Sequence, residues 1–211
     1  MKKGIRILFV LCCILIGLYP FSYFILHREF GLLSTKDPKL LLDLAWNISF
    51  YFHIILGGIA LLTGWTQFSE KIRVSKIKLH RFCGRVYVIS ALFSGLAGIY
   101  IGFFATGGII ASLGFISLGV LWILFTFIGF SHIRQGLMDT HKKYMYYSFA
   151  CCFAAVTLRI WLPLLTLSFG DFIVAYKIVA WLCWVPNLVI SHFLIRNNDL
   201  RNSTIRKSIH L

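Results

Sequence analysis

The sequence predicts an all-α integral membrane protein, a single bundle of six transmembrane helices, from three observations. Of the 211 residues, 59% are hydrophobic and 13% are charged, and the mean hydropathy is +0.82. Six apolar runs are each long enough to cross a hydrocarbon core about 30 Å thick. The Lys and Arg residues, which dominate a net charge of +14, fall mainly between these runs. Because a soluble domain needs a richer charged surface, that class is excluded.

Each run must be helical, because an open strand would leave backbone polar groups unpaired in lipid. The predicted helices cover residues 5–26, 48–68, 86–105, 108–130, 144–167 and 172–195. Short turns join the third to the fourth helix and the fifth to the sixth, so each pair should be antiparallel neighbours. The first run resembles a signal peptide, but no small-residue cleavage site follows it, so we expect a retained helix. Residues 1–211 then form one membrane domain that ends in a basic tail, residues 196–211.

The distribution of basic residues predicts the orientation. With the N-terminus inside, the inner segments hold 16 Lys and Arg residues and the outer segments hold only Arg28, Lys36 and Lys39. Short cytoplasmic loops are enriched in these residues, so both termini should be cytoplasmic. We therefore expect a multi-pass protein of the cell inner membrane, with anionic headgroups at its cytoplasmic face as partners and no nucleic acid.

Ionisable residues inside spans are expensive and mark candidate sites. Within the runs these are His53, Arg159 and Lys177, and His80 and His141 begin the third and fifth helices. The remaining histidines lie near the cytoplasmic ends of helices four and six, in a loop, or in the tail: His132, His192, His27 and His210. The six cysteines form no CxxC pair, so neither a disulfide framework nor a zinc site is expected.

Arg159 is the most informative of these residues. It should lie roughly 12 Å below the outer end of its helix at 1.5 Å per residue. Helical side chains lean toward the helix N-terminus, which is here the cytoplasmic side. This direction opposes snorkelling of the Arg159 side chain to the outer surface, so we expect it to have a partner in the bundle. Lys177 leans the other way and is expected to reach the outer interface. His141 shares a face with Arg159, five turns away, and this face should point into the bundle.

Two further patterns have both a packing and a binding interpretation. Small residues follow His53 and His80 at helical spacing, namely Gly57, Ala60 and Gly64 after the first and Gly84, Ala91, Gly95 and Gly98 after the second. They would let helices pack closely or let a flat cofactor approach the backbone. Pro186 should kink the sixth helix, and Asn187 beside it would hydrogen-bond across helices or contact a ligand.

Five ordered strings resemble a known family. They are HIILGGIALLTGWTQF from His53, LHRFCGRVYV from Leu79, ATGGIIASLGF from Ala105, HKKYMYYSFACCFAAVTLR from His141 and AWLCWVPNL from Ala180. Together they resemble the predicted bacterial membrane proteins called domain of unknown function 2306. The family pattern implies a shared architecture and no assigned activity. It singles out His53, His80, Arg81, Gly84, Arg85, Tyr87, His141, Met145, Arg159, Trp184 and Asn187, and it omits His132 and His192.

Three function classes stay open. The first is a redox protein whose His80 and His141 clamp haem b from two helices, with nearby arginines neutralising the propionates. The second is a transporter or binding protein for a small anion or lipid, with His53 and Arg159 facing one cavity and Asn187 deeper. The third is a membrane enzyme or assembly factor. No hydrolase or nucleotide-binding motif occurs, and self-association is compatible with the sequence.

Overall fold

A computed structural model describes residues 3–25 and 31–209, with side chains described as far as Asn197. Leu26, His27, Arg28 and His210 lie outside the described residues. The described chain is helical and contains no strand. The α-helices are α1 Lys3–Leu18, α2 Ser22–Ile25, α3 Pro38–Leu42, α4 Leu44–Gly64, α5 Glu70–Ser75, α6 Ile77–Gly102, α7 Gly108–Arg134, α8 Met138–Cys152, α9 Ala154–Phe169, α10 Phe172–Leu182 and α11 Val185–Ile209. Short 3₁₀ helices cover Tyr19–Phe21, Gly31–Thr35 and Trp65–Phe68.

Six helical stretches of the described chain are long and apolar enough to cross a membrane, which confirms the predicted fold class. They are Lys3–Ile25, Leu44–Phe68, Ile77–Gly102, Gly108–Arg134, Met138–Phe169 and Phe172–Asn197. The third begins nine residues earlier than the apolar run that predicted it, so His80 lies in its first turn, as expected, and Arg81 and Arg85 also lie on the helix. Hydrophobicity marks only the lipid-embedded part of a helix, whereas hydrogen bonding extends the helix into the charged interface.

Three of the six spans are interrupted. The first passes through a 3₁₀ turn that contains Pro20. The fifth breaks at Phe153 between α8 and α9, and the sixth breaks at Cys183 and Trp184 between α10 and α11. The break in the sixth span precedes Pro186, which has no N–H to continue the helix ladder. α9 also contains Pro163 and ends at Gly170, whose φ of 67° is the left-handed conformation that favours glycine.

The buried residues form three clusters. The largest lies between α1, α4, α6, α7 and α8 and includes Cys13, Leu61, Tyr87, Trp122 and Phe149. A second packs α7 against α9 and α10. A third, made by Leu33, Trp46 and Phe50, fixes residues 31–43 onto the bundle. We call residues 31–43 the cap and the side of the bundle it covers the cap end. The opposite side, which carries residues 69–76 and the turn after α7, is the basic end.

Candidate functional site

Arg159 lies partly buried in the cap-end half of the bundle, on the first turns of α9. Its Nη1 donates to the Ala155 carbonyl, 2.9 Å away and one turn toward the basic end. Its guanidinium carbon lies 4.3 Å from the ring centre of Tyr19, a cation–π contact that joins α9 to the end of the first span. Arg159 is also within electrostatic range of Tyr23 and His53. We call these four residues the Arg159 cluster.

His53 is held by α6. Its Nδ1 lies 2.8 Å from the Ser94 carbonyl, and Ser94 Oγ donates back to the His53 carbonyl at 2.9 Å. A carbonyl only accepts, so Nδ1 donates, and Nε2 of the neutral ring is the remaining acceptor. Any Cβ at Gly98 would lie 2.9 Å from His53 Nδ1, so the glycine makes room for the imidazole. The small residues of α6 are therefore used for packing at this position.

The two tyrosines of the Arg159 cluster lie under the cap. Tyr19 and Tyr23 pack edge to face with ring centres 5.7 Å apart. Both hydroxyls come within 3.3 Å of the position that a Cβ at Gly31 would take. Gly31 has a φ of 63°, which L side chains rarely adopt, so glycine is required here for two reasons. The first residue of the cap thus closes directly over these hydroxyls.

No described carboxylate balances the charge of Arg159. The carboxylates whose side chains are described are all exposed, at helix starts or on first turns: Asp37, Asp43, Glu70, Asp139 and Asp171. Among them only Asp139 forms an ion pair, with Lys142. The guanidinium therefore sits beside aromatic rings and a backbone carbonyl, with no opposite charge contributed by the described side chains.

A circuit of buried hydroxyls separates the two ends of the bundle. Tyr87 Oη and Ser148 Oγ are 2.7 Å apart, and Ser148 Oγ and Thr126 Oγ1 are 2.6 Å apart. Thr126 also donates to the Trp122 carbonyl at 2.6 Å, and Trp122 Nε1 lies 3.4 Å from Tyr87 Oη. These four residues are at most 5% exposed. We call them the hydroxyl circuit.

At the basic end, His80 and His141 lie within electrostatic range of each other. His141 Nδ1 is 2.8 Å from the Gly129 carbonyl, so its Nε2 is the remaining acceptor. His80 Nδ1 is buried and has no hydrogen-bond partner in the described part of the chain. Gln67 donates to the His80 carbonyl at 3.3 Å, and its Oε1 lies 3.1 Å from where a Cβ at Gly84 would be. The glycine face beside His80 is thus covered by a side chain.

Asn187 lies where the broken fifth and sixth spans meet. Its Nδ2 is within hydrogen-bond distance of the carbonyls of Ala150 and Cys183 and of Thr157 Oγ1. Thr157 Oγ1 in turn donates to the Cys183 carbonyl. Asn187 and Thr157 thus supply donors to the carbonyls of Ala150 and Cys183 beside the two breaks, so the amide nitrogen of Asn187 is used for structure. Its assignment as a ligand contact stays a prediction.

The remaining candidates lie apart from these groups. Lys177 packs against the turn before α7. His132 stacks on Tyr144 with ring centres 5.9 Å apart, and His192 Nδ1 lies 3.0 Å from Tyr147 Oη. The described residues include no group of three or more His, Cys, Asp or Glu side chains that would hold a metal ion.

Sequence reasoning did not include Tyr19, Tyr23 and Gln67 among the candidate site residues. Aromatic residues near the end of a span are common at membrane interfaces, so the presence of Tyr19 and Tyr23 there does not indicate a binding site. The contact of Tyr19 with Arg159 joins residues far apart in the chain, so the structure and not a local sequence pattern shows it.

Comparison with known proteins identifies one family. The family described as Predicted membrane protein (DUF2306) matches residues 50–195, which contain His53, His80, His141, Arg159 and Asn187. No curated protein and no solved structure gives a significant match. Because the match covers more than half of the chain and agrees with the expected resemblance, the chain belongs to the DUF2306 family of predicted membrane proteins.

Proposed function

We propose that the protein binds an anion, a carboxylate or a phosphate group, at Arg159 in the cap-end half of the bundle. It would act as a binding protein or transporter for a small anion or an anionic lipid. The single observation behind this proposal is a guanidinium inside the bundle without a described carboxylate partner.

The proposal follows from the cost of an isolated charge. Burying an ion without a counter-charge is expensive, and intramembrane arginines normally pair. A guanidinium has five N–H donors in a planar fork that fits a carboxylate or phosphate. The described hydrogen bond to Ala155 uses only one of them. An anion would occupy the others, and the neutral ring of His53, held through Nδ1 at the Ser94 carbonyl, would lie on the same side.

Ligand-dependent stability tests the proposal. Purified protein is heated in detergent at constant ionic strength with acetate, inorganic phosphate or palmitate, and unfolding is followed. A ligand at 100 times its Kd stabilises by about 2.7 kcal/mol. Arg159→Lys keeps the charge but loses the planar fork, and it should weaken the effect. An equal shift in wild type and Arg159→Lys, or no shift with any of the three anions, would contradict binding at the fork.

The orientation belongs to the same proposal. The basic end carries exposed Lys71, Arg73, Lys76 and Lys78 on α5 and around the start of α6. Their density supports a cytoplasmic basic end of an inner-membrane protein in contact with anionic headgroups. The Arg159 cluster would then open toward the outside.

A second candidate function is haem b binding at His80 and His141. One observation favours it: His80 Nδ1 is buried without a partner among the described residues, near His141, whose Nδ1 bond to a carbonyl leaves Nε2 as the acceptor. Gln67 would first have to leave the face of Gly84. An optical spectrum tests this function: a Soret band that His80→Ala and His141→Ala both abolish is expected. Colourless folded protein from haem-replete cells would contradict haem binding at His80 and His141.

A further inference from the structure

The cap end carries an open groove of about 560 Å³, apart from the Arg159 cluster. It lies between the cap and the turn that follows α6, and its lining includes Thr35, Lys36, Asp37, Lys39, Asp43 and Thr106. Thr35 Oγ1 and Thr106 Oγ1 are 3.4 Å apart and join the two walls. The groove is located at the end of the spans, where lipid headgroups and water meet the protein.

Lys36 is the partly buried cation of this groove, which exposed Lys39 also lines. Its Nζ donates to the Phe104 carbonyl at 2.6 Å, which leaves two of the three ammonium hydrogens for other acceptors. Asp37 and Asp43 line the same groove, yet neither is within salt-bridge distance of Lys36. Partial burial lowers the pKa of Lys36 from 10.5 to about 8. The amine is thus a desolvated donor without a described carboxylate partner.

The two carboxylates have spare acceptor capacity. Asp37 Oδ1 accepts from the Lys39 N–H at 2.8 Å and caps α3, and Asp43 Oδ1 accepts from the Trp46 N–H at 2.7 Å and caps α4. Both side chains are exposed. Each of these helix-capping hydrogen bonds uses one carboxylate oxygen and holds the side chain in place. The second oxygen is left for a donor in the groove. The groove therefore presents fixed negative charge beside the Lys36 amine.

We propose that this groove binds a small zwitterion of the phosphoethanolamine type. Its phosphate would pair with Lys36, and its ammonium would pair with Asp43 or Asp37. A lone anion would be repelled by the two carboxylates and a lone cation by Lys36 and Lys39, whereas a zwitterion satisfies both signs. The same chemistry is offered by a free soluble molecule and by the headgroup of a phosphatidylethanolamine.

Amine labelling tests the groove directly. Detergent-purified protein is acetylated with a sulfonated succinimidyl ester near pH 8, where Lys36 is partly neutral, and the rate is read at each lysine by mass spectrometry. Exposed Lys71 is the internal control. Because phosphoethanolamine is itself a primary amine and consumes the ester, the readout is the ratio of the Lys36 rate to the Lys71 rate. Phosphoethanolamine at ten times its Kd should lower this ratio about tenfold. Inorganic phosphate and ethanolamine should each protect far less.

The double variant Asp37→Asn/Asp43→Asn is the matched variant, because asparagine still caps α3 and α4 but carries no charge. It should reduce protection by phosphoethanolamine to the level given by inorganic phosphate. Nanodiscs with and without phosphatidylethanolamine distinguish a lipid headgroup from a free soluble ligand. Protection of Lys36 by the lipid indicates a headgroup, and protection by soluble phosphoethanolamine alone indicates a free ligand. The proposal fails if Lys36 does not react, if neither source protects it, or if phosphate protects as well as phosphoethanolamine.

Discussion

At the scale of single residues, the hydroxyl circuit can be assigned proton by proton. Thr126 donates to the Trp122 carbonyl, so it must accept from Ser148. Ser148 then accepts from Tyr87, and Tyr87 accepts from Trp122 Nε1. The chain of donors begins and ends on Trp122, and no hydroxyl proton is left over. The circuit therefore stabilises the contact of α6, α7 and α8 and is not a through-going proton path.

Removing one hydroxyl should expose this role. Tyr87→Phe leaves Trp122 Nε1 and Ser148 without their partner in a fully buried place. The expected loss of unfolding free energy is about 1 kcal/mol, typical of interhelical hydrogen bonds in membranes. Reversible unfolding in mixed detergent and SDS measures it. Tyr100→Phe is the control, because Tyr100 is 37% exposed near the cap end. If both variants lose the same stability, the circuit does not stabilise the bundle.

Arg159 and Lys177 should respond differently to loss of charge. Arg159→Leu removes a cation–π contact worth about 0.5–2 kcal/mol but also removes a partly buried charge that no described carboxylate balances. Without added anion, its stability should therefore stay within about 1 kcal/mol of wild type. With palmitate or phosphate present, Arg159→Leu should lose the added stability and Lys177→Leu should keep it. Thermal unfolding with and without anion measures this added stability. If both variants lose it equally, the anion does not bind at Arg159.

At the scale of elements, the paired breaks in the fifth and sixth spans depend on one side chain. Asn187 bonds across both breaks, to Ala150 and Thr157 on one span and to Cys183 on its own. Asn187→Ala should cost about 1–2 kcal/mol in unfolding measurements, because buried carbonyls lose donors. Asn197→Ala, at an exposed position, should cost nothing measurable. Equal stability of the two variants would show that water satisfies the breaks.

The sequence predicted the elements better than their details, for physical reasons. Long apolar runs predict six spans, and the structure confirms them. The earlier start of α6 was not predicted, because hydropathy marks only the lipid-embedded part of a helix and not its turns in the charged interface. The contact of Tyr19 with Arg159 joins residues far apart in the chain, so no local pattern encodes it.

At the scale of the whole molecule, the two ends should face different compartments. Reporter fusions after Asn198 and within residues 71–78 should be cytoplasmic, and a fusion near Lys36 should be external. The reason is the excess of Lys and Arg at the basic end. A cytoplasmic reading near Lys36 would reverse the orientation or contradict the six-span topology.

Native mass spectrometry of the detergent-purified protein, as isolated and after incubation with palmitate, tests the central proposal most directly. Wild type and Lys177→Gln should retain an anionic adduct after mild detergent release, and Arg159→Gln should not. Because glutamine keeps a polar side chain without the positive charge, the comparison isolates the charge of Arg159. Adducts of the same mass and occupancy in all three proteins, or bare protein in all three after incubation, would contradict an anion site at Arg159.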